Sequence, residues 1–316
     1  MIFEKQIVKM YQAQMFARYD DNGAVYYFSH RDFPGLHAEP YTFPSSHGHT
    51  LKGYFYSYDG YKPERLIVFD HGMGGGHLSY MKEIEMLCAA GYRVFSYDHT
   101  GCMESEGAGA GGFAQSLCDL DDCLKALKTD AAVDTSDVSV MGHSWGGFST
   151  INITALHPDV KRIVVLSGPV SVGRMIGQLF GGLLSGYRKA ILALEMACNP
   201  DYVKLDAAET LKTAEAKALL IYSDNDAIVK KAAHYDVLKE ALDGKDNITL
   251  MLVSGKAHNP NYTKDAVSYL ATLSKAMKTP PKTEEEKAAF KASFDWDRMT
   301  AQDASIWSEI LAFLEA

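Results

Sequence analysis

Residues 139–149 read SVMGHSWGGFS, with one serine set between glycines directly after an apolar run. The pattern Gly142-His143-Ser144-Trp145-Gly146 is short enough to arise by chance, so its surroundings decide what it means. DVSVMGHS (137–144) reads as a short buried strand, and the residues after Ser144 read as a helix. Strand, Gly-x-Ser-x-Gly and helix in that order make a nucleophile elbow. Its sharp turn leaves no room for side chains beside the serine, which accounts for Gly142 and Gly146. The Ser144 hydroxyl is then lifted clear of the sheet at a helix N-terminus, where the dipole favours developing negative charge.

The same alternation extends in both directions. Upstream, YTFPSSHGHTLKGYFYSYDG (41–60) predicts two strands around a turn. ERLIVFDHGMGGGH (64–77) is an apolar run ending in glycines. Leu78, Met81, Ile84, Leu87 and Cys88 follow at helical spacing, with Gly91 as the stop. YRVFSYDHTG (92–101) is strand-like, and Leu117, Leu120, Leu124 and Leu127 share one helical face. Downstream, VKRIVVLSG (160–168), KALLIYSD (217–224) and NITLMLVSG (247–255) are three more strands. Strands alternating with helices predict an α/β fold: a mostly parallel sheet with helices on both faces and its ligand site beyond the strands' carboxyl ends. Between two of these strands, Ile176, Leu179, Leu183, Tyr187, Ile191 and Leu194 recur at helical spacing, which predicts a helical insertion over the site. At the C-terminal end Ile306, Trp307, Ile310, Leu311 and Leu314 form one buried face, with Thr300 and Asp303 spaced as a capping box.

Composition narrows the function. The net charge is -9 with no block of lysine or arginine, which argues against a nucleic-acid partner. Glu4, Lys5 and Lys9 interrupt what a signal peptide would need as an apolar segment, and no run is long enough to span a membrane. The expected location is the cytoplasm. The five cysteines form no CxxC pair and read as free thiols. His47 and His49 lack a third ligand nearby, so no metal is expected. The glycines after His71 do not end in the Gly-Lys-Ser/Thr of a phosphate cradle. No cofactor is expected, and a homo-oligomer is compatible with the sequence.

With the elbow and the run His71-Gly72-Met73-Gly74-Gly75-Gly76, the chain resembles the α/β-hydrolase superfamily over roughly residues 41–275 plus the last helix. It is most similar to the lysophospholipase, monoglyceride lipase and serine aminopeptidase-like group. SYDHTGCMESEG (96–107) matches that group's Asp-x-x-Gly-x-x-x-Ser loop, although Thr100 and Cys102 replace its usual Arg and His. The resemblance implies the chain order serine, acid, histidine. His258, just past the last strand, then takes the place of the base in preference to His234. In SDNDAIV (223–229) the family pattern fits Asp226 as the acid and leaves Asp224 to cap the turn. It also implies backbone N–H groups of Met73 and Trp145 as the oxyanion hole.

The expected organisation is an N-terminal extension on the core (1–40), a hydrolase core in two parts (41–169 and 217–316) and a helical cap (170–216). Met175, Ile176, Leu179, Phe180, Leu183 and Tyr187, placed on adjacent turns of one cap helix, are the expected wall for a small acyl substrate. The implied activity is hydrolysis of carboxylic esters. A peptidase, amidase or thioesterase would use the same triad, with Glu195 or Asp201 as an anchor for a free amine. A non-catalytic binding protein of this fold is the remaining class.

Overall fold

A computed structural model of the chain describes residues 3–316. An N-terminal helix α1 (Glu4–Met15) precedes a hairpin of β1 (His37–Pro44) and β2 (Thr50–Ser57). Then β3 (Lys62–Asp70), α2 (Met81–Ala89), β4 (Tyr92–Tyr97), α3 (Gln115–Thr129), β5 (Asp137–His143), α4 (Trp145–Asn152) and β6 (Arg162–Leu166) alternate. Four helices follow: α5 (Val172–Leu179), α6 (Arg188–Cys198), α7 (Pro200–Val203) and α8 (Ala207–Thr210). The sheet resumes with β7 (Lys217–Ser223), α9 (Tyr235–Ala241) and β8 (Ile248–Val253). The chain finishes on α10 (Lys264–Ala276), α11 (Glu284–Ala292), α12 (Trp296–Met299) and α13 (Ala304–Glu315).

The described residues form one eight-stranded sheet in the order β1-β2-β4-β3-β5-β6-β7-β8. The hairpin is antiparallel and joins β4 antiparallel, while every pairing from β4 to β8 is parallel. Because successive side chains of a strand point to opposite faces, β3 divides its apolar run between two cores. Leu66 and Val68 join the core shared with α1, α3 and α4; Ile67 and Phe69 join the one shared with α2 and α13. Burial on both faces is why these strands read as unbroken apolar runs. Leu117, Leu120, Leu124 and Leu127 all lie in the first core. No helix among the described residues is long and apolar enough to cross a membrane.

Two sequence expectations change. Residues 175–187 do not form adjacent turns of one helix: α5 stops at Leu179, a 3₁₀ turn covers Gly182–Tyr187, and α6 starts at Arg188. Gly181 and Gly182 cause the break, since glycine is a poor helix former and Gly182 adopts φ 54°. The capping box of the last helix is also not formed. Asp303 is itself the N-cap of α13, accepting from Ser305 N, and the Thr300 hydroxyl closes α12 on the carbonyl of Trp296.

Candidate active site

Three loops meet at the carboxyl end of the sheet. Ser144 follows β5 with φ 56° and ψ -114°, a strained backbone for any residue but glycine. The strain is held by a bond from Ser144 N to Leu166 O (2.9 Å) and by α4 starting at once, with Phe148 N on Ser144 O (2.9 Å). A Cβ on Gly146 would strike the carbonyls of Asp70 and His71, and one on Gly142 the Gly146 carbonyl and the Thr150 hydroxyl. This close approach is what the glycines of the quoted motif permit.

Asp226 lies in the loop past β7 and His258 in the loop past β8. The His258 ring sits between two partners, Nδ1 at 2.7 Å from Asp226 Oδ2 and Nε2 at 2.7 Å from Ser144 Oγ. A carboxylate can only accept, so Nδ1 carries the proton and Nε2 is left to accept the serine's. Asp226 also receives the N–H groups of Ile228 (2.7 Å) and Val229 (2.9 Å). Burial alone would raise its pKa, but the bond to His258 and these backbone donors outweigh it and hold the carboxyl below its ordinary value. Asp224 is exposed and ties the loops past β7 and β8 together, accepting from Ser254 Oγ (2.8 Å) and Gly255 N (2.9 Å). His234 is buried and makes no bond to this ring; its Nδ1 accepts from Val170 N at 3.1 Å.

Beside Ser144, Trp145 is the first residue of α4, so its N–H has no acceptor within the helix. Met73 follows Gly72 in the loop past β3. His71 is wholly buried, and its pKa is pushed down to about 3 by burial and by the charge of His99. Its Nε2 accepts from His99 N (3.0 Å), so its single proton is on Nδ1 and donates to Gly72 O at 2.8 Å. In a trans peptide the N–H points opposite to the C=O, so fixing the Gly72 carbonyl also fixes the direction of the Met73 N–H.

Sequence reasoning missed the charge beneath this loop. His99 Nε2 lies 3.0 Å from Asp70 and Nδ1 3.3 Å from Asp119, all three side chains fully buried. Burial pushes the imidazole pKa down, but the two carboxylates overcome it and raise it to about 10. Ser149 of α4 donates to Asp70, which couples the elbow helix to this pair. Asp70 and His99 stood in the quoted runs, yet nothing local showed that they meet.

Of the expected substrate wall, Met175 and Ile176 are buried in the main core, Phe180 is half-buried against Tyr11 (6.1 Å between centroids) and Tyr187 is half-buried. Leu179 is exposed, and Leu183 lies wholly in solvent. Glu195 of α6 is buried, with Oε1 receiving Tyr11 OH (2.7 Å) and Phe113 N (3.0 Å), and Oε2 receiving Phe113 N (2.9 Å). Phe113 O in turn accepts the Trp145 indole N–H at 2.6 Å. Among the described residues, no group of three or more His, Cys, Asp or Glu side chains gathers as a metal would require.

A family model described as serine aminopeptidase, S33, matches residues 61–197, from the start of β3 into α6. Solved structures are similar over most of the chain. An esterase from Pyrococcus furiosus superposes with TM-score 0.59 at 16% identity, covering 80% of this chain and 94% of its own. The α/β hydrolase GrgF from a Penicillium species gives 0.55 at 15%, covering 77% and 97%. The chain has the α/β-hydrolase fold. In this version of the fold the hairpin β1–β2 continues the sheet antiparallel beyond β4, and the helical segments from α5 to α8 stand between β6 and β7.

Proposed function

We propose that this α/β hydrolase cleaves carboxylic esters through an acyl-enzyme on Ser144. The observation that carries the reading is the pair of 2.7 Å contacts that His258 makes with Ser144 and Asp226. Ser144 Oγ attacks the acyl carbonyl while its proton passes to His258 Nε2. The oxyanion so formed is received by the N–H groups of Met73 and Trp145. Collapse expels the alcohol, which takes the proton back from Nε2. Water then attacks the acyl-enzyme with the same histidine as base, releasing the acid and free Ser144. Asp226 holds the Nδ1–H throughout and stabilises the imidazolium. Leu179, Phe180, Leu183 and Tyr187 supply apolar surface for the acyl chain. The similarity to a protein described as an esterase agrees with this reading.

A peptidase is the second reading, favoured by the match to the serine aminopeptidase model. Two observations count against an anchor for a free amine at the positions the sequence offered. Both oxygens of Glu195 are taken up by Phe113 and Tyr11 inside the protein, and Asp201 is exposed beside Lys204 (3.6 Å). A panel of acyl esters of graded chain length, run beside aminoacyl arylamides, separates the two. Ester turnover exceeding arylamide turnover is expected; faster arylamide cleavage would overturn the ester reading.

A further inference from the structure

We infer that Tyr80 and His143 are positioning residues: one hydrogen-bonded relay that locks the oxyanion loop, the elbow and the loop of the base onto one another. The inference rests on the serine-hydrolase reading and extends it to two side chains that touch neither substrate nor the proton in transit. The relay begins at Gly72, whose N–H donates to the Tyr80 hydroxyl at 3.1 Å. That hydroxyl lies 2.8 Å from His143 Nδ1, and His143 Nε2 lies 2.8 Å from the carbonyl oxygen of His258. Gly72 follows β3, Tyr80 precedes α2, His143 ends β5, and His258 lies past β8. Three bonds thus join Gly72 and Tyr80, eight residues apart, to His143 and His258, which lie 63 and 115 residues further along in turn.

Every proton in the relay has a determined place. The His258 carbonyl can only accept, so His143 Nε2 must carry a proton. His143 is buried, and burial together with the neighbouring His258 holds its pKa at about 3, so the ring is neutral with one proton only. Nδ1 is therefore bare and accepts from Tyr80 O–H, which leaves the phenol oxygen's lone pairs for the Gly72 N–H. The directions agree from end to end, and no donor meets a donor. Fixing Gly72 N–H orients the peptide on one side of the oxyanion loop, while His71 holds the Gly72 carbonyl on the other. Fixing His258 O orients the backbone from which the base projects, and its neighbour Ala257 sits at φ 47°. The two imidazole rings lie 4.8 Å apart between centroids, so a tilt of His143 is felt directly by His258. A Cβ on Gly72 would strike the Tyr80 hydroxyl, which explains a glycine that the turn alone does not demand.

Two measurements test the relay. Nitrogen NMR of histidine-labelled wild-type protein should show His143 as the Nε2–H tautomer, unchanged between about pH 5 and 9. An Nδ1–H tautomer, or titration in that interval, overturns the proposal without reference to any substrate. Tyr80→Phe removes one oxygen and keeps the ring. It should stay folded and lower kcat by about ten- to a hundredfold with KM little changed, because a small misplacement of catalytic groups is costly. His143→Gln, which keeps a donor toward His258 O, should retain more kcat than His143→Ala. A brace that serves stability alone would lower Tm and leave kcat unchanged in Tyr80→Phe, and that result overturns the proposal. Ser144→Ala, assayed alongside, separates the two levels. Full activity there sinks the hydrolase reading itself, whereas a dead Ser144→Ala beside an unaffected Tyr80→Phe sinks only the relay.

Discussion

The loops around Ser144 and the helical insertion from α5 to α6 are both attached to the carboxyl ends of the strands, yet they are held in opposite ways. Around Ser144, Asp226, His143, His71 and Asp98 are buried, and each is bonded to a partner that fixes its orientation. In the insertion, residues 181–186 are all exposed, and two adjacent glycines interrupt the helix. A reacting group must be held to a fraction of an ångström, which buried hydrogen bonds accomplish because leaving one unmade is costly. An apolar surface for the acyl chain of the proposed substrate would need only area, which exposed leucines could supply. Substitutions should therefore be felt sharply in the loops and weakly in the insertion.

Ser144→Ala gives the largest expected effect. It should fold as the parent does and lose on the order of 10⁴ to 10⁶ in turnover, as removal of a triad serine does elsewhere. A fluorophosphonate probe should label Ser144 and nothing else, and label elsewhere would break the comparison at its centre. Next comes the pair of acidic candidates. Asp226→Asn should reduce kcat by about 10⁴, because an amide can stabilise the wrong His258 tautomer. Asp224→Asn should leave kcat near the parent's, since its bonds reach only Ser254 and Gly255. The reverse pattern would place the acid two residues earlier.

Glu83 gives a smaller effect, felt in stability. This buried residue of α2 accepts from Asn261 Nδ2 at 3.0 Å, three residues past His258. Burial pushes its pKa up from 4.5 to about 7, against the bonds that favour its charge. The folded chain therefore binds more protons than the unfolded one between those values, and this group's contribution to stability falls as pH rises across that window. Glu83→Gln should stabilise the protein at about pH 8 by on the order of 2 kcal/mol and change little near pH 4. Thermal unfolding at the two pH values measures it; equal Tm shifts would show that folding does not raise the Glu83 pKa.

The smallest effect belongs to the insertion. Leu179→Ala with Leu183→Ala should alter stability by no more than about 0.5 kcal/mol, as exposed substitutions do. Specificity should move toward longer or bulkier acyl groups, with each buried CH₂ worth about 0.8 kcal/mol at most. An unchanged chain-length profile would mean that these leucines do not meet the substrate.

The sequence by itself determined the alternation of strands and helices, because burial on both faces of a parallel strand leaves a local signature of four to six apolar residues. It also marked Gly142 and Gly146, where one sharp turn in one short segment demands residues without side chains. The length of α5 was not legible there: the apolar spacing from Ile176 to Leu194 runs on, and the break at Gly181-Gly182 won over it. Only the tertiary structure decided which polar groups meet. Glu195 stood in the sequence as an anchor for substrate, yet it ends among Tyr11 and Phe113, 184 residues from the one in sequence. His99 finds Asp70 and Asp119, and His143 reaches the carbonyl of a residue 115 positions away. Such contacts leave no periodicity to read, because a hydrogen bond depends on where the sheet brings two loops together and not on the residues that flank either one.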